Sequence, residues 1–202
     1  KFINLTARHI FLTGKAGTGK TTFLRNLTSL THKKAVIVAP TGIAAINAAG
    51  VTIHSLFQLP FGTFLPKVTP TITANQHYHT PKSIVKHLNM NATKRRILLD
   101  LELLIIDEVS MLRADLLDAI DMVLRYIRKN NAGFGGVQVL FIGDLHQLPQ
   151  VVKNDEWNLL SQFYKSAFFF FFFSLAQHQP LYIELEKIYR QADDTFIHLL
   201  NN

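Results

Sequence analysis

The sequence predicts an α/β fold, a mostly parallel sheet with helices on both faces and a small irregular insertion. Three observations lead there. Short, unbroken apolar runs recur along the chain without alternation, the pattern of strands buried on both faces. Segments with helical spacing separate most of these runs, as in a parallel sheet. The first run leads directly into a glycine-rich turn that opens a helix. With 202 residues, 48% of them hydrophobic and 17% charged, the chain suits one domain with an appendage and is too apolar to be largely disordered.

The elements follow in order. His9-Ile10-Phe11-Leu12-Thr13 is too short for a helix and rich in strand formers. Residues 21–30 place Phe23, Leu24, Leu27 and Leu30 at helical spacing. Ala35-Val36-Ile37-Val38-Ala39 reads as a central strand, and Thr41-Gly42 opens an alanine-rich helix over 43–49. Over 59–81 the pattern dissolves among threonines and Pro60, Pro66, Pro70 and Pro81. An irregular stretch of that length marks a functional insertion rather than a plain connector. An amphipathic helix over 83–100 is expected to close it. Leu103-Leu104-Ile105-Ile106 is another buried strand, 111–129 a strong helix, and 137–142 a strand after the loop 130–136. A last strand over 181–185 leads to Tyr189-Arg190 and a short closing helix. Six consecutive phenylalanines, Phe168 to Phe173, fit poorly: alternation lets about half of the rings face a core, and the rest have no physical account.

Composition removes several classes. There is no cysteine, so disulfide frameworks, thiolate metal sites and cysteine nucleophiles are excluded, and a reducing compartment is the default. No apolar run approaches the roughly 20 residues that span a bilayer, so no membrane-spanning segment is expected. The start at Lys1 does not read as a signal peptide, and without an initiating methionine the chain reads as an excised piece. Lys and Arg number 21 against 14 acids, a net charge of +7. That balance favours a polyanion, whether nucleic acid, an anionic membrane surface or phosphates, although a basic solvated face gives the same count. The motifs have to choose.

Gly14-Lys15-Ala16-Gly17-Thr18-Gly19-Lys20-Thr21 matches the phosphate-binding pattern G-x-x-x-x-G-K-[ST], set between an apolar strand and a helix. Gly14, Gly17 and Gly19 let successive N–H groups, with those of Thr18 and Thr22, converge on a phosphate, and the helix adds its positive N-terminus. Lys20 neutralises the β- and γ-phosphates of ATP in such a loop, and the Thr21 hydroxyl ligates Mg²⁺. Asp107-Glu108 follows the run 103–106, at the strand end where open α/β sheets bind ligands. Asp107 suits the metal, and Glu108 suits activation of the attacking water. Capping of a following helix is the competing use of Glu108. A third strand ends in Gly143-Asp144-Leu145-His146-Gln147-Leu148-Pro149, where Gln147 can sense a γ-phosphate or merely occupy a polar turn. His77 and His79 flank Tyr78, but with no cysteine and no carboxylate pattern beside them a zinc site is not expected.

Together these stretches resemble the superfamily 1 DNA helicases, most closely the 5′-to-3′ Pif-type (petite integration frequency) group, to which RecD-like helicases are nearest. The resemblance runs through Gly14 to Thr22, Ala39-Pro40-Thr41-Gly42-Ile43-Ala44-Ala45, Val51-Thr52-Ile53-His54-Ser55-Leu56-Phe57, Ile105 to Met111, Gly143 to Pro149 and Tyr189-Arg190-Gln191. They look like motifs I, Ia, Ib, II, III and IV in order. The resemblance implies a RecA-like P-loop NTPase domain, residues 1–202 being the first of two, with 59–81 in the place of a small accessory subdomain. It implies an enzyme using ATP and Mg²⁺ to translocate 5′ to 3′ on single-stranded DNA and unwind forked duplex DNA, in repair, recombination and telomere maintenance. The setting would be cytoplasmic in a prokaryote, nuclear or mitochondrial in a eukaryote.

By the same resemblance Lys20, Glu108, Gln147 and Arg190 are catalytic, Gln147 as γ-phosphate sensor and Arg190 as an arginine finger, whose planar fork suits a transferring phosphoryl group. DNA contacts fall on Pro40, Thr41, Gly42, His54, Ser55 and Phe57. His54 or Phe57 offers a ring for a base, while Phe57 packed in the core and Thr41 capping a helix remain the plainer uses. A second RecA-like domain, the expected partner across the cleft, is not in this chain, so the isolated piece is expected to turn over ATP slowly. The glutamine motif that reads adenine would lie at or before Lys1. Two other classes stay open: a P-loop ATPase acting on protein, and a nucleotide-binding module that does not hydrolyse.

Overall fold

Apolar runs without alternation belong in the middle of a sheet, and Leu103–Ile106 and Gln138–Ile142 are buried at every residue. The computed structural model describes residues 2–67, 78–144, 152–166 and 179–188. In chain order the elements are α1 (Phe2–Leu5), β1 (Ile10–Gly14), α2 (Lys20–Leu30), β2 (Ala35–Ala39), α3 (Gly42–Asn47), β3 (Val51–Thr52) and α4 (Ile53–Phe57). They continue through β4 (Thr63–Phe64), β5 (Tyr78–His79), α5 (Pro81–His87), α6 (Ala92–Asp100) and β6 (Leu103–Ile106). A 3₁₀ turn (Val109–Met111), α7 (Ala114–Arg128), a second 3₁₀ turn (Gly133–Gly136), β7 (Gln138–Ile142), α8 (Asn154–Leu160) and β8 (Leu181–Leu185) complete them. The main sheet runs β3-β2-β6-β7-β1-β8 with every neighbouring pair parallel.

Alternate residues of each central strand feed opposite layers. Leu104, Ile106, Val139, Phe141 and Phe11 pack with the buried stripe of α7, whereas Leu103, Ile105, Leu140, Ile142, Ile10 and Leu12 pack with Leu24 and Leu27 of α2. Each such side chain contributes roughly 1.5–3 kcal/mol on leaving water. Both faces being covered, neither can be polar, which is why the runs are unbroken.

The structure corrects the sequence reading in several places. The helix expected over 83–100 is two helices. Thr80 and Ser83 form a capping box that starts α5 at Pro81, and Asn91 accepts from the Lys94 N–H at 2.8 Å to start α6 afresh. An asparagine at that position competes with the helix interior for its own backbone, so it caps. The stretch 59–81 is not wholly irregular, since β4 and β5 pair in parallel. The helix expected from 111 begins at Ala114, because Met111 belongs to the 3₁₀ turn. Elements α1, β3, α4 and α8 were not anticipated; all but α8, at seven residues, span five residues or fewer, too few to carry a period. The phenylalanine run, His77 and the expected closing helix lie outside the described residues.

Arg113 ties the small β4–β5 pair to the main body. Its guanidinium grips Asp115 in a two-pronged pair (2.9 and 2.6 Å) and reaches Glu156 at 3.1 Å. Asp115, whose side chain is wholly buried, also accepts from the Phe64 N–H at 3.0 Å. Every lone pair engaged there is paid back by a donor, the condition under which a buried ion pair is tolerable.

Candidate functional site

Parallel strands present all their carboxyl ends at one edge, and the six-stranded order fixes what meets there. β7 lies between β6 and β1, so the tips carrying Asp107, Asp144 and Gly14 are neighbours. The phosphate-loop tip and the Asp107 tip are two strand spacings apart, about 10 Å. On the other side of β6 lie β2, which runs into Pro40-Thr41-Gly42, and β3, which runs into α4 with His54 and Ser55. The nucleotide candidates and the nucleic-acid candidates therefore occupy adjoining stretches of one edge, with Asp107 and Glu108 between them.

The loop after β1 turns through Gly17 (φ 84°) and Gly19 (φ 90°), left-handed conformations that favour glycine. Gly19 precedes α2 without a side-chain cap, so the first N–H groups of this 11-residue helix stay available to an anion. Thr18 is buried and donates to the Lys15 carbonyl at 2.9 Å, fixing the loop from inside. The Lys20 ammonium folds over the loop, donating to the carbonyls of Gly14 and, at 3.1 Å, Lys15. Thr21 and Thr22 are exposed on the first turn of α2.

Asp107 is held by its own backbone, its N–H donating to the Val38 carbonyl at 2.9 Å. Burial pushes its carboxyl up from the ordinary range, and the Glu108 N–H and the Lys20 ammonium pull it back. Burial also raises Glu108; the Asp107 carboxylate adds to that, Lys20 opposes it, and Asp144 raises it further. Lys20 thus acts on both carboxyls, as groups at one edge must.

Glu108 has φ 52° and ψ 44°, a left-handed conformation that costs a non-glycine residue of order 1 kcal/mol or more. It heads the 3₁₀ turn, and its carbonyl accepts from the Met111 N–H at 3.0 Å. Gly143, past the end of β7, makes room for that turn. A Cβ there would lie 2.9 Å from Val109 Cγ1 and 3.2 Å from the backbone nitrogens of Val109 and Ser110. Ser110 is buried, and its hydroxyl has no hydrogen-bond partner among the described residues. Sequence reasoning missed Gly143 as a site residue; the legible signal was a glycine closing a buried strand, which marks close approach.

The nucleic-acid candidates divide. Thr41 caps α3, accepting from the Ala44 N–H at 3.2 Å, and Gly42 is exposed at the helix start. Ser55 is exposed, and its carbonyl accepts from Lys94 Nζ at 2.9 Å. His54 is partly buried and stacks on Phe61, with centroids 4.6 Å apart and planes at 22°. Phe57 is a correction: it is fully buried in the layer beneath α7, so its ring is core and offers no face to a base. A five-residue helix that packs against the sheet must bury one side, and Phe57 is on it. Gln147 and Arg190 lie outside the described residues.

A glycine-turned phosphate loop, an acidic tip two strands away and a parallel sheet between two helical layers define the P-loop NTPases of RecA-like fold. The family described as PIF1-like helicase matches residues 1–197, and the chain belongs to it. It is similar to the ATP-dependent DNA helicase PIF1 of Saccharomyces cerevisiae, at 35% identity over 96% of this chain and 21% of that protein. It is also similar to the Pif1 helicase from Bacteroides, solved with ADP-AlF3 and single-stranded DNA, at 45% identity and a TM-score of 0.81, covering 97% of this chain and 42% of that one. A structure describing DNA unwinding at forked duplex DNA by two coordinating Pif1 helicases aligns with a TM-score of 0.82 and 45% identity, over 98% of this chain and 44% of that one. The chain spans about a fifth of the yeast protein and under half of the solved ones.

Proposed function

We propose that this chain is the first RecA-like motor domain of a DNA helicase, binding and hydrolysing ATP and passing the resulting change of shape to single-stranded DNA held beside it. The observation that carries the reading is the order of tips along the carboxyl edge: phosphate loop, acidic tip, then Pro40-Thr41-Gly42 and His54-Ser55. In the hydrolysis step a water oxygen attacks the γ-phosphorus, the bond to the bridging oxygen breaks, and the water proton passes to Glu108. A carboxyl raised above its usual range is a better match to that task near neutral pH. Lys20 leaves the carbonyls it now touches and neutralises charge on the β- and γ-phosphates.

Thr21 and Asp107 would hold Mg²⁺. Hydroxyl and carboxylate oxygens suit that hard cation. Bound there, the ion would supply charge neutralisation on the phosphate oxygens. Family membership is the support for proposing Gln147 as γ-phosphate sensor, Arg190 as arginine finger, a second RecA-like domain closing the cleft, 5′-to-3′ polarity and a forked duplex substrate, and for a nuclear or mitochondrial setting in a eukaryote or a cytoplasmic one in a prokaryote.

ATP turnover measured with and without oligo-dT, on this chain and on one extended by its second domain, tests the proposal. DNA-stimulated turnover in the extended chain, lost on Glu108→Gln, is the expected result. Turnover indifferent to DNA in the extended chain would sink the motor reading.

A further inference from the structure

With Phe57 buried, the ring beside motif Ib that does face outward is Phe61. It lies on the loop between α4 and β4 and is 84% exposed, the most exposed of the large hydrophobic residues described. An isolated exposed apolar residue needs no explanation, but Phe61 is held in place. One face of its ring lies flat on His54 at 4.6 Å. Its carbonyl accepts from His79 Nε2 at 3.2 Å, and His79 packs against Phe64 and His87 with centroids 5.7 and 6.4 Å away. The ring is therefore a fixed plate with its second face open. Burial and the Arg113 charge lower the His54 pKa, which favours the uncharged imidazole behind the ring.

A second observation comes from charge. No Asp or Glu precedes Asp100, while 13 of the 21 Lys and Arg lie in that first half. Such asymmetry is a footprint of nucleic-acid binding. The Phe61 plate sits wholly within the acid-free half, with Lys94 bound to the adjacent Ser55 carbonyl. An open apolar ring face within this basic half of the sequence matches an aromatic ring tethered to a chain of anions.

We infer that Phe61, backed by His54, is a stacking site for a single nucleobase of the DNA strand. The inference rests on the motor reading above and adds to it a base contact. Base stacking on an aromatic side chain is sequence-tolerant, as a translocating domain requires, and it carries no phosphate charge.

Those properties separate the test. Binding of oligo-dT to the chain extended by its second domain, the parent here, is measured by fluorescence anisotropy across a range of salt, with single abasic positions walked along the oligonucleotide. Phe61→Ala should weaken binding about tenfold with an unchanged salt slope, and Phe61→Trp should restore it. One abasic position should weaken binding to the parent but not to Phe61→Ala. Lys94→Ala should instead flatten the salt slope. Parent binding that Phe61→Ala leaves unchanged overturns the Phe61 assignment alone. Failure of the parent chain to bind any oligonucleotide overturns both this assignment and the motor reading.

Discussion

Two clusters of charge in this molecule are built on opposite plans. At the root of the β4–β5 pair, Arg113 faces Asp115 and Glu156, and Asp115 has a backbone donor besides. At the sheet edge, Asp107 and Glu108 share Lys20 and have raised pKa values, Asp144 adds to the rise at Glu108, and beside them lie the left-handed Glu108 backbone and a Ser110 hydroxyl with no hydrogen-bond partner among the described residues. The first cluster is complete within the chain. The second is strained and its carboxyls are raised by burial and by one another, the pattern of a functional site. Burial is similar in kind at both, so the difference lies in satisfaction rather than depth.

Breaking the complete cluster should have the largest effect on folding. Asp115→Ala leaves Arg113 partly buried without its principal partner and frees the Phe64 N–H, and the loss should be about 3–5 kcal/mol, read by urea unfolding. At the edge the order reverses. Lys20→Ala should move the urea midpoint far less than Asp115→Ala does, since the ammonium's hydrogen bonds go only to carbonyls of its own loop and its charge merely offsets part of the rise at Asp107 and Glu108. Turnover of ATP by the extended chain should nonetheless fall roughly 10²–10³-fold.

Gly143→Ala sharpens the comparison because it touches the strained turn and nothing catalytic. Its Cβ would press on Val109 and the Ser110 nitrogen, with a stability loss of roughly 1–3 kcal/mol and a drop in turnover larger than that loss explains, as Glu108 is displaced. Equal melting temperatures and equal turnover would show that the turn has slack.

The smallest effect is in pH. Asp107 and Glu108 bind protons more readily in the folded chain than in the unfolded one. Their contribution to stability is present at low pH and is lost as the pH rises through their raised values. Glu108→Gln does not titrate, so it should be the more stable protein at neutral pH. That advantage should shrink as the pH falls toward about 4, where the unfolded carboxyl also protonates. Melting curves of both chains across that range check it, and Mg²⁺ added at neutral pH should narrow the gap by stabilising the parent.

The nucleotide loop was legible because its chemistry is local: glycines that must turn, a lysine and a threonine at a helix start, all within eight residues. Asp107-Glu108 was legible because a strand end is itself a sequence signal. Phe57 and Phe61 were not. Both are phenylalanines near a threonine-capped turn, and only the direction in which α4 docks buries one and leaves the other on His54. The break between α5 and α6 was hidden in the same way, since an asparagine reads as a weak helix residue until its side chain is seen capping.

By itself the sequence determined the alternation of strands and helices, and so the parallel sheet, because runs of four or five apolar residues can be satisfied only between two layers. It also determined which residues can hold a phosphate. Strand order was decided only by the tertiary structure. Placing β7 between β6 and β1, and β2 with β3 beyond β6, is what puts Lys20, Glu108 and His54 along one edge. Residues dozens of positions apart become neighbours there through packing of the layers, a property that no local pattern in the chain encodes.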